Sequence, residues 1–253
     1  EAVIHLGAYS IVSESFLFPQ KYFENNVNGT QKLLDVMAMN GCTNIIFSST
    51  AAVFGIPEYI PIDEAHTKKP ISPYGQSKLI IEKMLEDFSR AHGLSYIIFR
   101  YFNAVGQGRE SYLKERHDPE THLFPLIVQT IKGTRENLTI YGTDYDTDDG
   151  SCVRDYVHVE DLCSAHLKAI EVLMRKGNEI IAEDYNLGCG KGFSVKEVVS
   201  EFKNLSKMEF NVNYGQRREG DPPILIASNN KALEKLNFTP EKSNLKEIIK
   251  SLL

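Results

Sequence analysis

The chain has 253 residues, 42% of them hydrophobic and 25% charged, and a formal net charge of −6. This balance is ordinary for a globular protein, and the negative charge argues against nucleic acid as the main partner. No apolar run approaches the roughly 20 residues of a membrane-spanning helix, and no secretory signal is visible, so no membrane partner is expected. The four cysteines form no Cys-x-x-Cys pair, which favours reduced thiols in the cytoplasm.

The first hundred residues alternate between short apolar runs and helical patterns. Apolar runs at residues 2–6, 44–48 and 96–99 predict strands, and a helical stretch is expected from about Pro19 to Asn40. β-Branched runs alternating with amphipathic helices are typical of a parallel sheet covered on both faces. Ligands of such α/β sheets gather at the carboxyl ends of the strands, where an active site is therefore expected.

A second helix is predicted after the second strand and its loop. Ser72 is a favourable N-cap, Pro73 a favourable first helical residue, and Gly93 a stop signal. Tyr74 and Lys78 are four residues apart and extend the apolar stripe of this helix, so both are expected to point inward on one face.

Tyr74 is the candidate base. A nearby cation stabilises phenolate, so an ammonium from Lys78 is expected to lower the tyrosine pKa from its usual value of about 10. Thr50 ends the preceding strand and adds a hydroxyl at the same sheet edge. The alternative is that Lys78 merely snorkels and that Tyr74 is ordinary amphipathic surface, since a bare Tyr-x-x-x-Lys is common.

The second half of the chain is less regular. Strands are predicted at residues 138–141 and 185–187, and helices at about 159–176 and from about Asn230 and Asn244. Ser194 and Glu197 form a capping-box pattern at another helix start. The acidic stretch 144–155 is interpreted as a polar turn because its glycine is misplaced for a calcium loop. The seven histidines show no ligand spacing, so no metal is predicted.

Seven motifs in order carry a resemblance to a known family. They are Asn25-Asn26-Val27-Asn28-Gly29-Thr30, Phe47 to Gly55, Ser72-Pro73-Tyr74-Gly75, Arg100-Tyr101-Phe102-Asn103, Tyr141-Gly142-Thr143-Asp144-Tyr145, Val153 to Val159, and Arg217-Arg218-Glu219-Gly220-Asp221. With them the chain resembles, essentially end to end, the extended short-chain dehydrogenases/reductases, and among them the UDP-glucose 4-epimerases. The resemblance implies a Rossmann-like doubly wound parallel sheet with a smaller mixed α/β substrate domain.

The resemblance also implies a reaction. Tyr74 would take the proton of the sugar 4-hydroxyl while hydride passes to bound NAD, and the 4-keto sugar would be reduced again on its other face. Thr50 would hydrogen-bond the tyrosine and the sugar O4, and Lys78 would bind the nicotinamide ribose. UDP-glucose and UDP-galactose would thereby be interconverted.

Binding residues are implied by the same matched positions. Those for the cofactor NAD are Leu6, Gly7, Ala8, Asn25, Ser48, Ser49, Tyr74, Lys78 and Phe102. Those for the UDP-sugar substrate are Thr50, Tyr74, Asn103, His122, Leu123, Tyr141, Arg154, Arg218, Asp221 and Leu225. Ser10 stands where the family often has a cofactor-binding lysine, and His122 where it often has asparagine.

Three rival functions are open. A sugar 4,6-dehydratase of this family needs an acid and a base after the strand-end threonine, and this chain has Ala51-Ala52 there. A UDP-N-acetylhexosamine 4-epimerase would have a small residue at position 225, where Leu225 instead predicts a preference for UDP-glucose and UDP-galactose. An inactive sugar-nucleotide-binding fragment is the third, because no Gly-x-x-Gly-x-x-Gly turn is present and a segment on the order of 60 residues is expected upstream.

Two domains are expected. Residues 1–103, with 152–189 returning to them, are assigned to the dinucleotide-binding domain, and residues 104–151 and 190–253 to the sugar-nucleotide domain. A homodimer is implied by the resemblance for the intact protein.

Overall fold

The structure is a computed structural model that describes residues 1–110, 112–218 and 220–253. Glu219 of the predicted Arg217–Asp221 motif lies outside the described residues. The helices are α1 (Val12–Leu17), α2 (Pro19–Tyr22), α3 (Gly29–Met39), α4 (Pro73–His92), α5 (Leu123–Ile131), α6 (Val159–Arg175), α7 (Val195–Ser206), α8 (Asn230–Leu236) and α9 (Leu245–Leu252). The strands are β1 (Val3–His5), β2 (Asn44–Thr50), β3 (Ser95–Tyr101), β4 (Asn103–Val105), β5 (Leu138–Tyr141), β6 (Val153–His158), β7 (Ala182–Leu187), β8 (Gly192–Ser194), β9 (Val212–Gly215) and β10 (Ile224–Leu225).

The described chain divides into two compact units. Unit 1 comprises 1–101, 165–187 and 228–238, and unit 2 comprises 102–164, 188–227 and 239–253. Residues 152–164, which the sequence assigns to the dinucleotide-binding domain, lie in unit 2. Within the described residues, no helix combines the length and apolar character needed to cross a lipid bilayer.

Unit 1 is built on a four-stranded parallel sheet in the order β1-β2-β3-β7. β3 is buried along almost its whole length, as expected for a parallel strand covered on both faces. Helices α3 and α4 pack their apolar stripes on the sheet through a core that contains Leu34, Met37, Ile45, Phe47, Ile81, Leu85, Leu94, Tyr96 and Ile98. The predicted parallel α/β sheet is confirmed.

Helix α4 begins and ends where the local signals predict. The Ser72 side chain accepts a hydrogen bond from Gly75 N, Pro73 is the first helical residue, and Gly93 closes the helix with a φ of 66°. A left-handed residue at this point suits glycine, which has no Cβ to collide with the backbone. Two strong terminal signals thus place Tyr74 in the first turn of a 20-residue helix.

The single helix expected from about Pro19 to Asn40 is wrong in detail. Helix α2 passes into a π-helical stretch, Phe23–Asn28, before α3 begins at Gly29. Asn26 is fully buried there and hydrogen-bonds both backbone groups of Tyr9. This contact joins residues 17 apart in the sequence, so the apolar periodicity does not indicate it.

Unit 2 contains a mixed sheet and a separate strand pair. β6 pairs in parallel with β10 and β4 and antiparallel with β8, while β5 pairs in parallel with β9. Its core gathers residues from α5, α7 and α9, among them Phe124, which meets both Tyr156 and Phe202 edge-on. The capping box predicted at Ser194 and Glu197 is confirmed at the start of α7.

Candidate active site

Thr50 and Tyr74 meet at the carboxyl end of β2. Thr50 is the last residue of that strand, and its hydroxyl caps the 3₁₀ turn Ala51–Val53 by accepting from Ala52 N at 3.1 Å. Helix α4 approaches this turn so closely that a Cβ on Gly75 would lie 2.5 Å from Ala52 O. The glycine beside the candidate base therefore allows the first turn of α4 to lie against Ala52, the second residue after Thr50.

The phenol of Tyr74 is held among polar and aromatic groups of unit 1. Burial raises the pKa of Tyr74, and a hydrogen bond with Thr50 lowers it in part. The Tyr74 ring lies edge-on to Tyr22, with 6.3 Å between ring centroids. The backbone carbonyl of Tyr74 accepts a hydrogen bond from Ser77 Oγ at 2.7 Å, and Ser77 Oγ accepts one from Asn26 Nδ2 at 3.1 Å. The hydrogen bond with Thr50 is the contact that supports the predicted pairing of Thr50 with Tyr74.

Lys78 is 3% exposed and faces inward, as its helical position predicts. Its ammonium donates to Ser48 O at 2.7 Å and lies 4.8 Å from the centre of the Phe47 ring. Burial lowers the pKa of Lys78 to about 8, against the opposing effect of Glu82. The predicted lowering of the Tyr74 pKa by Lys78 is wrong in this structure, because burial dominates the phenol and the lysine binds the end of β2.

A buried ion-pair network lies one turn beyond Lys78 on α4 and is absent from the sequence-based prediction. Glu82 accepts from Arg100 Nε and Nη2 at 2.9 and 2.8 Å and from Ser49 Oγ at 2.5 Å. Arg100 also pairs with Asp184 at 2.7 Å. The i+4 spacing from Lys78 to Glu82 was the available signal, although a carboxylate at that position is more often solvated.

The other predicted cofactor residues of unit 1 follow β1 or lie within the π-helical stretch. Leu6 and Gly7 are exposed and Ala8 is partly buried, directly beyond the carboxyl end of β1. Asn25 is exposed and donates to Asn26 Oδ1 at 3.0 Å. Phe102, the remaining predicted cofactor residue, is the first residue of unit 2.

Three predicted substrate residues lie together in unit 2. Arg154 is 8% exposed, pairs with Asp221, and donates to the backbone oxygens of Val153 and Pro223. Leu225 is the register partner of Arg154 across β10 and β6. The buried guanidinium is thus fixed in direction by three acceptors rather than lying free on the surface.

Arg218 and Tyr141 form a second contact of predicted substrate residues. The Arg218 guanidinium lies 4.3 Å from the centre of the Tyr141 ring, and both side chains are exposed. Asn103 is placed on β4 opposite Tyr156 of β6. These positions leave one cation and one aromatic ring of unit 2 facing solvent side by side.

His122 and Leu123 begin helix α5, where His122 is the N-cap. His122 belongs to a cluster with Glu115, His117 and Glu120, whose nearest nitrogen and oxygen atoms all lie within 4.8 Å of one another. Glu120 Oε1 receives the backbone N–H of His122 at 2.9 Å and lies 2.9 Å from His122 Nδ1. Hydrogen bonds within the turn account for this cluster, and we assign it no metal.

Residues 1–188 match the NAD dependent epimerase/dehydratase family. The chain belongs to the NAD dependent epimerase/dehydratase family.

Relatives within this family carry one recurrent name. A UDP-glucose 4-epimerase from Streptococcus mutans is 45% identical over 251 residues, which are 99% of this chain and 74% of that protein. The crystal structure of UDP-glucose 4-epimerase from Brucella ovis in complex with NAD matches with a TM-score of 0.94 and 45% identity, over 99% of this chain and 76% of that one. The UDP-glucose 4-epimerase from Bifidobacterium longum in complex with NAD+ and UDP has a TM-score of 0.93 at 34% identity, over 100% and 75% of the two chains.

These matches cover 99% or more of this epimerase/dehydratase family member. They confirm the family resemblance drawn from the seven motifs and the Rossmann-like α/β fold. The chain spans about three quarters of the length of the relatives named above.

Proposed function

We propose that this chain carries the catalytic machinery of a UDP-glucose 4-epimerase, which interconverts UDP-glucose and UDP-galactose through a 4-keto sugar. The observation that carries the proposal is the juxtaposition of Thr50, Tyr74 and a buried Lys78 at the carboxyl end of β2. The relatives that carry the name UDP-glucose 4-epimerase are over 40% identical to this chain, which supports the same substrate pair.

Tyr74 is the proposed general base and acid. Its phenolate oxygen accepts the proton of the sugar 4-hydroxyl, and the resulting phenol returns the proton when the alcohol forms again. Thr50 stabilises the ionised form by hydrogen bonding, which is the direction in which it moves the Tyr74 pKa. The hydroxyl that caps the 3₁₀ turn is therefore also the group that orients the base.

NAD fits the polar groups of unit 1. Lys78 uses one of its three N–H donors on Ser48 O, and no other described residue accepts from it. The two remaining donors of this buried ammonium suit the hydroxyls of the nicotinamide ribose. The residues we propose to line the cofactor are Leu6, Gly7, Ala8, Asn25, Ser48, Ser49, Tyr74, Lys78 and Phe102. When bound, NAD supplies hydride acceptance and return at the sugar C4.

Unit 2 is the proposed sugar-nucleotide domain, and unit 1 the proposed cofactor domain. Arg154 and Arg218 are suited to a diphosphate because guanidinium groups make paired hydrogen bonds to phosphate oxygens. Tyr141 offers an exposed ring beside Arg218. The further residues proposed here to contact the UDP-sugar are Asn103, His122, Leu123, Asp221 and Leu225.

A dehydratase activity has less support. The residues after Thr50 are Ala51 and Ala52, and both lie in the 3₁₀ turn that Thr50 caps. Neither can transfer the second proton that an elimination across C5 and C6 requires. The local turn therefore favours simple epimerisation.

We also infer a cytoplasmic homodimer. All four cysteines are free thiols, which is consistent with a reducing compartment. Dimerisation is implied by the family resemblance, and sedimentation of the purified enzyme measures it directly.

The decisive test is conversion of UDP-glucose to UDP-galactose by the NAD-loaded protein, with Tyr74→Phe as the matched variant. We expect reversible interconversion by the natural protein and a loss of about 10²-fold or more in kcat for the variant, the usual contribution of general acid–base catalysis. Unchanged turnover in Tyr74→Phe would remove Tyr74 from the mechanism, and no conversion by the natural protein would refute the function.

A further inference from the structure

The Glu82 side chain is buried and ion-paired on the helix that carries Lys78. It is 2% exposed, and its main partner, Arg100, is 1% exposed. Arg100 binds it through two nitrogens, at 2.8 and 2.9 Å. A carboxylate this deeply buried requires charged partners, because its ionised form is otherwise strongly disfavoured.

Glu82 and Lys78 hold consecutive residues of β2. Lys78 donates to Ser48 O at 2.7 Å, while Glu82 receives the hydroxyl of Ser49 at 2.5 Å. The two side chains are one helical turn apart on α4 and therefore lie on the same face. Together they fix the register of α4 against the strand end that leads directly to Thr50.

The charges around Lys78 come from three elements. His5 of β1 has its pKa lowered by burial and by the charge of Lys78. Tyr74 and Glu82 lie on α4 itself, and Arg100 of β3 lies beyond Glu82. Glu82 is the carboxylate in this set, and it opposes the effect of burial on Lys78. Without the Glu82 carboxylate, the buried cations Lys78 and Arg100 would lie at the same end of the sheet.

We propose that Glu82 is a positioning residue of the active site, which keeps Lys78 in its ammonium form and aligns it with the end of β2. This role rests on the proposed function, since it concerns the lysine assigned to the nicotinamide ribose. Arg100 holds the Glu82 carboxylate in its ionised form, and Asp184 holds Arg100 from the other side at 2.7 Å. The ion-paired network thus runs from Glu82 through Arg100 to the partly exposed Asp184, and Lys78 is coupled to it through the charge of Glu82.

The test measures the titration of Lys78 directly, by NMR of ¹³C-labelled lysine in the purified, NAD-loaded protein. The Lys78 signal is assigned by its absence in Lys78→Met. In Glu82→Gln, which keeps the size of the side chain, we expect the Lys78 pKa to fall by about one unit, the usual effect of removing one neighbouring opposite charge. The alkaline limb of the kcat profile should move to lower pH by the same amount. Asp184→Asn is the matched control, because it removes a more distant charge from the same network and should leave the Lys78 titration in place.

Arg100→Gln keeps the proposal testable if Glu82→Gln does not fold. It removes the guanidinium that holds Glu82 ionised, so Glu82 should take up a proton and the Lys78 pKa should fall, as in Glu82→Gln. Unchanged Lys78 titration in a folded Glu82→Gln or Arg100→Gln protein would overturn the proposal. Because the titration needs no turnover, it can fail while epimerisation is observed, or succeed where the proposed function fails.

Discussion

The pKa of Tyr74 is set by two opposing effects at the level of single side chains. Burial stabilises the neutral phenol, and the hydrogen bond with Thr50 stabilises the phenolate. Lys78 is directed to Ser48 O and contributes no comparable effect in this structure. The hydroxyl of Thr50 is therefore the described group that moves the base toward ionisation.

Replacing Thr50 with valine should shift the activity of the enzyme to more alkaline pH. The substitution keeps the branched shape of the side chain and removes the hydrogen bond that lowers the Tyr74 pKa. The fraction of Tyr74 in its phenolate form therefore falls at neutral pH, and kcat falls with it, but kcat recovers as the pH rises. A profile of kcat against pH measures this. A loss of kcat by the same factor at every pH would contradict it, and Thr50→Ser, which keeps the hydroxyl, serves as control.

Lys78 should reduce the stability of the fold while it serves the site. Burial lowers its pKa from 10.5 to about 8, so the unfolded chain binds more protons than the folded one between these two pH values. Stability should thus rise with pH through this window, and the full cost of the charge is present below pH 8. After allowing for the lost hydrogen bond to Ser48 O, Lys78→Met should increase the free energy of unfolding at pH 7 by about 2 kcal/mol.

Urea unfolding at pH 7 and at pH 10 checks this prediction, with both proteins in the same ligand state. The advantage of Lys78→Met should shrink at the higher pH, where the folded lysine is neutral and the cost of burying its charge is gone. Lys83→Met is a control on the same helix, because Lys83 is exposed and pairs with Glu86 at the surface. Equal effects of the two substitutions would contradict the assignment of a buried charge.

At the scale of elements, the local signals proved the most informative. Ser72, Pro73 and Gly93 determine both ends of α4 through contacts within a few residues, so the sequence alone predicts them. The pair of Glu82 with Arg100 joins a helix to a strand 18 residues later, and no local pattern indicates it. The two-residue strand β10 exists only through its pairing with β6, which explains why it was not predicted.

Gly75 places α4 against the turn after β2, and its replacement should separate them. A Cβ at this position would lie 2.5 Å from Ala52 O, so Gly75→Ala must displace the first turn of α4. We expect a lower midpoint of thermal unfolding and a lower kcat, because Tyr74 moves relative to Thr50. Gly29→Ala is the matched control on α3, where an added Cβ meets nothing within 4 Å.

The control should behave in the opposite way. Alanine is favoured over glycine within a helix by up to about 1 kcal/mol, so Gly29→Ala should raise the unfolding midpoint and leave kcat unchanged. Calorimetry and initial rates on both variants decide the matter. If Gly75→Ala is as stable and as active as the natural protein, the close approach of α4 to Ala52 has no role in positioning the base.

At the scale of the whole molecule, the proposed work is divided between the two units. In the proposed function, the proton chemistry is assigned to unit 1, and most of the residues proposed to recognise the UDP-sugar are side chains of unit 2. Substitutions in unit 1 should therefore act mainly on kcat, and those in unit 2 on KM and on the choice of sugar. The family resemblance predicted the second set of residues, since a surface arginine by itself carries no sign of its ligand.

Leu225 should limit the size of the group at the sugar C2. It lies on β10 opposite Arg154, and its branched side chain predicts a preference for UDP-glucose and UDP-galactose over N-acetylated sugars. Leu225→Ala should raise kcat/KM for UDP-N-acetylglucosamine relative to UDP-glucose by about 10-fold or more, the size of effect expected when a few methylenes leave a pocket. Ile224→Ala is the control, because neighbouring residues of a strand point to opposite faces. Comparable specificity constants for the two sugars in the natural protein, or equal shifts in both variants, would show that Leu225 does not determine the choice.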